Sequence, residues 1–406
     1  MARGGGAVWI GRRGAGVAGP RRTGGAGRGT ASPPAASRDR CPRNDRRTLR
    51  AARTAARRGR AAARGRGVAR VSRFRAEIAE QPEIAGRPEI AGRLLVHGAP
   101  IANKIAARIR QAAPRGFAIA ARGSSDNAAL YAKYLFGAKN QALVALVAPS
   151  LFTHYARPPR LEGQCVLGIS QSGESPDVIA VIEEAGRQDC ITVAITNQSG
   201  SKLARAAELV LPLEAGPEVS VPASKTYTAS LLALAIISQA LNPDPFFEAA
   251  LASVPAAITR VLEKEAELEA FVPVLMGPRA IVLGRGFNFS TAEEIALKLS
   301  ETSYLLARAW SVADFEHGPI AIVEAGLPVV IVDGGGPVAS DLESVGARLE
   351  AKGCHVLRLS DESGLPEELT PITLAVRGQL LAHHVAAARG IDPDRPRTIQ
   401  KVTRTW

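Results

Sequence analysis

The sequence predicts an α/β protein: two doubly wound parallel-sheet domains in tandem, preceded by a disordered basic tail. Three observations carry that prediction. Short continuous apolar runs recur at GFAIAA (116–121), ALVALV (142–147), CVLGIS (165–170), ITVAIT (191–196) and LVLPL (209–213), with helical patterns between them. Apolar strands alternating with amphipathic helices indicate a parallel sheet covered on both faces, because each crossover helix buries one of them. The cycle then repeats with AIVLG (280–284), PVVIVD (328–333) and CHVLRL (354–359). Each cycle also opens on strand, glycine and helix, ARGSSDN at 121–127 and LGRGFNF at 283–289.

Residues 1–70 form the tail. They hold 19 arginines, no lysine and two acids, a net of +17 within a chain total of +13, so the remaining residues carry −4. Arg, Gly and Ala dominate, and the apolar content that offsets chain entropy is missing, which predicts disorder. Three readings fit: a tether to nucleic acid or an acidic surface, an Arg-rich organellar transit peptide, or residues translated from a start placed too early in GC-rich coding DNA. No apolar segment of a secretory signal follows the basic start. Four cysteines, Cys41, Cys165, Cys190 and Cys354, lie far apart without CxxC or a neighbouring His pair. Neither a zinc site nor a disulfide framework is indicated, and a reducing cytoplasm fits. The longest apolar stretch, Tyr227 to Leu241, is interrupted by Thr228, Ser230, Ser238 and Gln239. It also falls short of the ~20 residues that a membrane span needs. We therefore expect a soluble cytoplasmic protein without a membrane partner, and no nucleic-acid contact apart from the tail.

The elements follow in order. Residues 71–115 read as a helical lead-in containing a small duplication, PEIAGR at 82–87 and again at 88–93. The first sheet domain is expected at 116–243, where Asn242-Pro243-Asp244-Pro245 breaks the chain. A helical connector occupies 244–270 and the second sheet domain 271–395, with helices at 288–307, 338–351 and 371–389. Residues 396–406 close the chain.

Two loops suggest what is bound. Ser124 and Ser125 follow the first strand; Ser170, Gln171, Ser172 and Ser175 surround Gly173 after a later one, with a helix starting at Pro176. Hydroxyls, unpaired backbone N–H groups and the positive end of a helix dipole suit a phosphate monoester. Either loop alone reads as well as an ordinary helix-capping turn. Together they sit at sheet positions where ligands of doubly wound folds bind. Neither matches GxxxxGK[ST] or GxGxxG, which favours a small phosphorylated metabolite over a nucleotide. Further on, EEIALKLSETSY (293–304) places Glu294, Lys298 and Glu301 on one helical face. That stripe is a solvated ion-pair ladder or the border of a cleft. His317 precedes Gly318-Pro319 on a turn, a position open to acid–base work. Lys401, near the terminus, is either a solvated charge or, folded into a site, a carbonyl-capturing amine.

Taken with ASKTYT (223–228), LGRG (283–286), FEHGPIA (315–321), EIAEQP (77–82) and the closing LLAHHVAAARGIDPDRPRTIQKVT, these segments resemble the isomerase half of glucosamine-6-phosphate synthase. That half is a tandem pair of flavodoxin-like sugar-isomerase (SIS) domains, and the similarity spans about residues 75–405. The resemblance implies that Ser125, Ser170, Gln171, Ser172 and Ser175 hold a sugar phosphate, with Ser124, Val221 and Gln400 as further substrate contacts. It implies Glu301 as the base that moves a proton between C1 and C2, and His317 in ring opening, across a subunit boundary of a homodimer with shared active sites. Glu294 and Lys298 would line the site, and Lys401 would hold the open-chain sugar. No metal and no cofactor are required. The tail stands where the synthase carries its glutaminase domain, and Cys41 is its only cysteine, so glutamine-dependent synthesis is not expected. GPEVSVPASK (216–225) and the terminal KVTRT look more like the stand-alone amino-sugar-phosphate deaminases. The expected activity is conversion of glucosamine 6-phosphate, or a close relative, to fructose 6-phosphate and ammonia. The alternatives are a ketosamine-6-phosphate deglycase, an aldose–ketose phosphosugar isomerase and, in another class, a sugar-phosphate-sensing regulator.

Overall fold

The computed structural model describes residues 72–82 and 90–401. The chain divides into two units, Met1–Ala69 and Arg70–Trp406, and every described residue lies in the second. The expectations for residues 1–70 and most of the PEIAGR duplication fall outside the described residues.

Three helices open the unit where one lead-in was expected: α1 (Arg73–Ala79), α2 (Ile90–Arg93) and, after a π-helical turn at Leu94–Gly98, α3 (Ala99–Ala112). The first sheet contains β1 (Gly116–Ala120), β2 (Val144–Leu146), β3 (Gln164–Ser170), β4 (Ile191–Thr196) and β5 (Leu209–Pro212). All its pairings are parallel and the order is β2-β1-β3-β4-β5. Its crossovers are α4 (Ser124–Asn140), the short α5 (Ser150–Thr153), α6 (Pro176–Arg187) and α7 (Lys202–Ala206). Helix α8 (Lys225–Leu241) then leaves the sheet, and α9 (Pro245–Glu263) follows, capped by Asp244. By length and composition α9 could cross a membrane. Its face of Phe247, Leu251, Val254 and Ile258 is instead buried in the core.

The second sheet is built from β6 (Arg279–Gly284), β7 (Leu306–Ser311), β8 (Pro328–Asp333) and β9 (His355–Ser360), again all parallel, in the order β7-β6-β8-β9. Its helices are α10 (Phe289–Ser303), α11 (Val312–Glu316), α12 (Ala339–Ala351) and α13 (Thr370–Ala388). Two sequence expectations need correction. The connector ends earlier as an α-helix, and Glu265–Met276, which contains Pro273, is 3₁₀. The helix expected to run to 307 stops at Ser303, and 306–311 is a strand. As an edge strand with Leu306 75% exposed, β7 lacks the continuous apolar run by which the buried strands were recognised.

The strands alternate between two cores, as a period of two requires. In β1, Phe117 and Ile119 join a large central core while Ala118 and Ala120 face α6 and α7; in β6, Val282 faces the central core while Ile281 and Leu283 face α11 and α12. The central core includes residues of α8, α9 and α13 and is continuous between the two sheets. Within it, α10 packs on α4, carrying a helix of the second sheet to the first.

Candidate active site

In the first sheet β2 is added on one side of β1 and β3, β4 and β5 on the other, so the loops after β1 and β3 diverge and leave a crevice at their carboxyl ends. A cleft of about 390 Å³ occupies that place. Ser124 and Ser125 form one wall, and Ser170, Gln171, Ser172 and Ser175 another. The second loop is held in shape by its own hydroxyls. Ser170 Oγ accepts from the Gly173 N–H at 3.2 Å and lies 3.1 Å from Ser175 Oγ; Ser172 Oγ accepts from the Glu174 N–H at 3.2 Å. Gly173 has φ +63°, and a Cβ there would stand 2.0 Å from Ser201 Oγ, so only glycine fits this bend. Arg122 lines the cleft beside these loops, its Nε donating at 2.5 Å to Asp177, which is buried in the first turn of α6.

The opposite side comes from α10. Lys298 and Glu301 line the cleft, with Lys298 Nζ 2.5 Å from Glu301 Oε2 and 3.5 Å from Glu294 Oε1. The choice left open between a solvated ladder and a cleft border is resolved, because Glu294 and Lys298 are each 1% exposed. Glu294, however, does not line the cleft. It lies behind Lys298, where Asn127 of α4 donates to its Oε2 at 2.8 Å. Burial pushes the Glu294 carboxyl above its ordinary range, against the pull of Lys298 and Asn127. Burial also works against the Lys298 charge, but Glu294 and Glu301 together outweigh it and push its pKa up to about 12. Lys298 is therefore a fixed cation at any physiological pH.

The C-terminal segment brings Gln400 and Lys401 to the rim, with Val221 nearby. Lys401 Nζ donates at 2.7 Å to Glu218 Oε2, a partner that reading the sequence did not single out. Glu218 also accepts from the Ser224 and Thr226 N–H groups, both at 3.0 Å, and from Thr226 Oγ1 at 2.8 Å. Its side chain is fully buried at the N-terminus of α8. Burial alone would raise its pKa; Lys401, these amides and the helix dipole outweigh it and hold the carboxylate ionised below the ordinary range. The one signal for it was an acid six residues before the Ser224 that starts a helix.

His317 is not brought to this cleft. It is exposed at the C-terminal end of α11 and contributes nothing to the wall formed by its own chain. Among the described residues no cluster of three or more His, Cys, Asp or Glu side chains could hold a metal ion.

The SIS-domain family matches residues 114–238 and 277–366, one segment for each sheet. The chain belongs to that family. Among curated relatives, a glutamine–fructose-6-phosphate aminotransferase of Thermococcus kodakarensis is 34% identical over 304 residues, covering 69% of this chain and 50% of the relative. One from Zymomonas mobilis is 31% identical over 309 residues, covering 70% and 51%. The chain thus spans about half the length of the curated relatives it matches. Among solved structures, a candidate phosphosugar isomerase of Silicibacter pomeroyi superposes with TM-score 0.73 at 33% identity, covering 80% of this chain and all of that one. A glucosamine-6-phosphate deaminase of Thermotoga maritima shares the fold at TM-score 0.66 and 20% identity, covering 82% of this chain and 100% of its own.

Proposed function

We propose that this SIS protein binds a hexosamine 6-phosphate and converts it to the ketose phosphate with release of ammonia. One observation carries the reading: two hydroxyl-bearing loops, the Lys298–Glu301 pair and the Lys401–Glu218 pair line one cleft at the topological switch point. The serine loops hold the phosphate. Glu301 removes the C2 proton of the open-chain amino sugar and returns it to C1, turning an aldehyde and amine into a C2 imine and a C1 alcohol. Water adds to the imine, and ammonia leaves to give the ketose. Lys298, charged throughout, keeps Glu301 oriented and offsets the negative charge that spreads over O1 as C2 loses its proton. Lys401 holds the open-chain carbonyl end near the rim. Incubation with glucosamine 6-phosphate is expected to yield fructose 6-phosphate and ammonia in equal amounts. Ketose without ammonia from an unaminated aldose phosphate would make the enzyme an aldose–ketose isomerase. Release of an amine other than ammonia from a 6-phosphofructosyl amine would make it a deglycase.

Arg122 adds positive charge beside the neutral hydroxyls: its Nε is bonded to Asp177, which orients the guanidinium, and its remaining N–H groups can meet the phosphate. A charge-assisted contact is worth about 1.5–3 kcal/mol, so Arg122→Ala is expected to weaken binding of the phosphosugar by roughly 10- to 100-fold. Titration calorimetry with fructose 6-phosphate measures this, and fructose, lacking the phosphate, is expected to show no such difference.

His317 acts in ring opening, in the cleft of a second subunit. In a two-fold dimer with Glu301 from one chain and His317 from the other at each site, mixing Glu301→Gln with His317→Ala subunits restores about a quarter of wild-type activity, because half of the dimers carry one intact site. Mixed subunits as inactive as the separate variants would rule out the shared site, and a fully active His317→Ala variant would place His317 outside the reaction.

A further inference from the structure

Helix α1 contributes no residue to the cleft, yet it grips the loop that holds Lys401. Glu77, 5% exposed in the middle of α1, accepts the Val219 N–H at 2.5 Å on Oε1, and the Ser220 N–H at 3.2 Å on Oε1 and 3.3 Å on Oε2. These amides immediately follow Glu218, the buried partner of Lys401. One turn further along α1, Glu80 forms an ion pair with Lys225, the first residue of α8, so both ends of the 218–225 segment are tied to the same helix. The N-terminus of α1 is in turn capped by the segment that carries Lys401. Asp394 accepts from the Arg73 N–H at 2.7 Å and from the Phe74 N–H at 2.9 Å. Between Asp394 and Lys401, Arg397 stacks over Tyr304 and its N–H donates to the Tyr304 hydroxyl at 2.9 Å. Helix α1, the 218–225 loop and the closing segment therefore form a closed circuit of contacts, joined through the buried carboxylates Glu77 and Glu218 and the half-buried Asp394.

We propose that Glu77 is a positioning residue: by fixing the two amides after Glu218, it sets where Glu218 holds Lys401 against the cleft. The proposal deepens the functional reading and rests on the part given there to Lys401. A buried carboxylate that accepts main-chain N–H groups leaves those donors without partners when it is removed, and the loop then loosens locally before the domain unfolds. The circuit predicts that the loosening reaches residues 391–401, although Glu77 touches none of them.

The test compares Glu77→Ala and Glu77→Gln with the wild type in the full chain, by amide deuterium exchange and by steady-state kinetics on glucosamine 6-phosphate. In Glu77→Ala, exchange across 391–401 should quicken about ten-fold, kcat should fall about ten-fold or more, and KM should stay within about two-fold. Glu77→Gln, which keeps an acceptor oxygen and the side-chain shape, should recover most of both effects. Unchanged exchange across 391–401 overturns the proposal whatever the kinetics show, and this arm needs no turnover. Faster exchange with undiminished kcat supports the circuit and overturns the role given to Lys401 instead. If Glu77→Ala fails to fold by circular dichroism, Asp394→Ala breaks the circuit at the α1 cap by removing both acceptor oxygens, and the same exchange comparison decides.

Discussion

Glu301→Gln is expected to reduce turnover of glucosamine 6-phosphate by about 10²–10⁴-fold, the range that a positioned general base supplies. The amide keeps the size of the side chain and a hydrogen bond to Lys298 but cannot accept the C2 proton. Binding of fructose 6-phosphate, held by the serine loops on the opposite wall, should change by less than about three-fold, since the lost group acts on the transition state and not on the phosphate. Steady-state kinetics with calorimetry separates the two quantities. Activity within about ten-fold of the wild type would remove Glu301 from the role of base. Loss of binding together with turnover would make it a structural residue.

Lys298→Met should have the largest effect on stability. Lys298 is buried between Glu294, itself 1% exposed, and Glu301. Removing one partner of a buried ion pair leaves an uncompensated charge and costs about 3–5 kcal/mol. At about 2–4 °C per kcal/mol this lowers Tm by roughly 6–20 °C at neutral pH. The double variant Lys298→Met/Glu294→Gln should regain most of that loss, because no buried charge is then left unpaired. The alkaline limb gives a second check. The pKa of Lys298 is raised from 10.5 to about 12, so its contribution is fully present below 10.5 and is lost as pH rises through about 12. The stability difference between wild type and Lys298→Met should shrink across that window. A difference constant to pH 12, or a single variant as stable as the double, would contradict the buried pairing.

Much of this protein is written locally. The buried strands β1, β3, β4, β6 and β8 declare themselves because both of their faces are covered, so apolar residues run along them almost without a break. The hydroxyl-rich turn at 170–175 is legible because a phosphate cradle is a local arrangement of hydroxyls, amides and one glycine whose φ is positive. The edge strand β7 escaped because it buries one face only and carries Arg308 among small residues. Helical spacing puts Glu294 on one face with Lys298 and Glu301 but does not report the depth to which another helix covers it. The packing of α10 on α4 is what puts Glu294 behind Lys298.

Glu218 shows the same limit from the other side. A lone acid in a loop has no pattern. It becomes a binding partner because the chain returns after 183 residues to set Lys401 beside it. The sequence by itself determined the doubly wound α/β class, the two tandem sheets and the phosphate-type loop, since periodicity, turn chemistry and helix starts depend on neighbours a few residues apart. Only the tertiary structure decided which charges are buried, which carboxylate each lysine meets, and that His317 lies away from its own chain's cleft. Those depend on how the two sheets share one core, and charge pairing across hundreds of residues follows from that packing and from no local pattern.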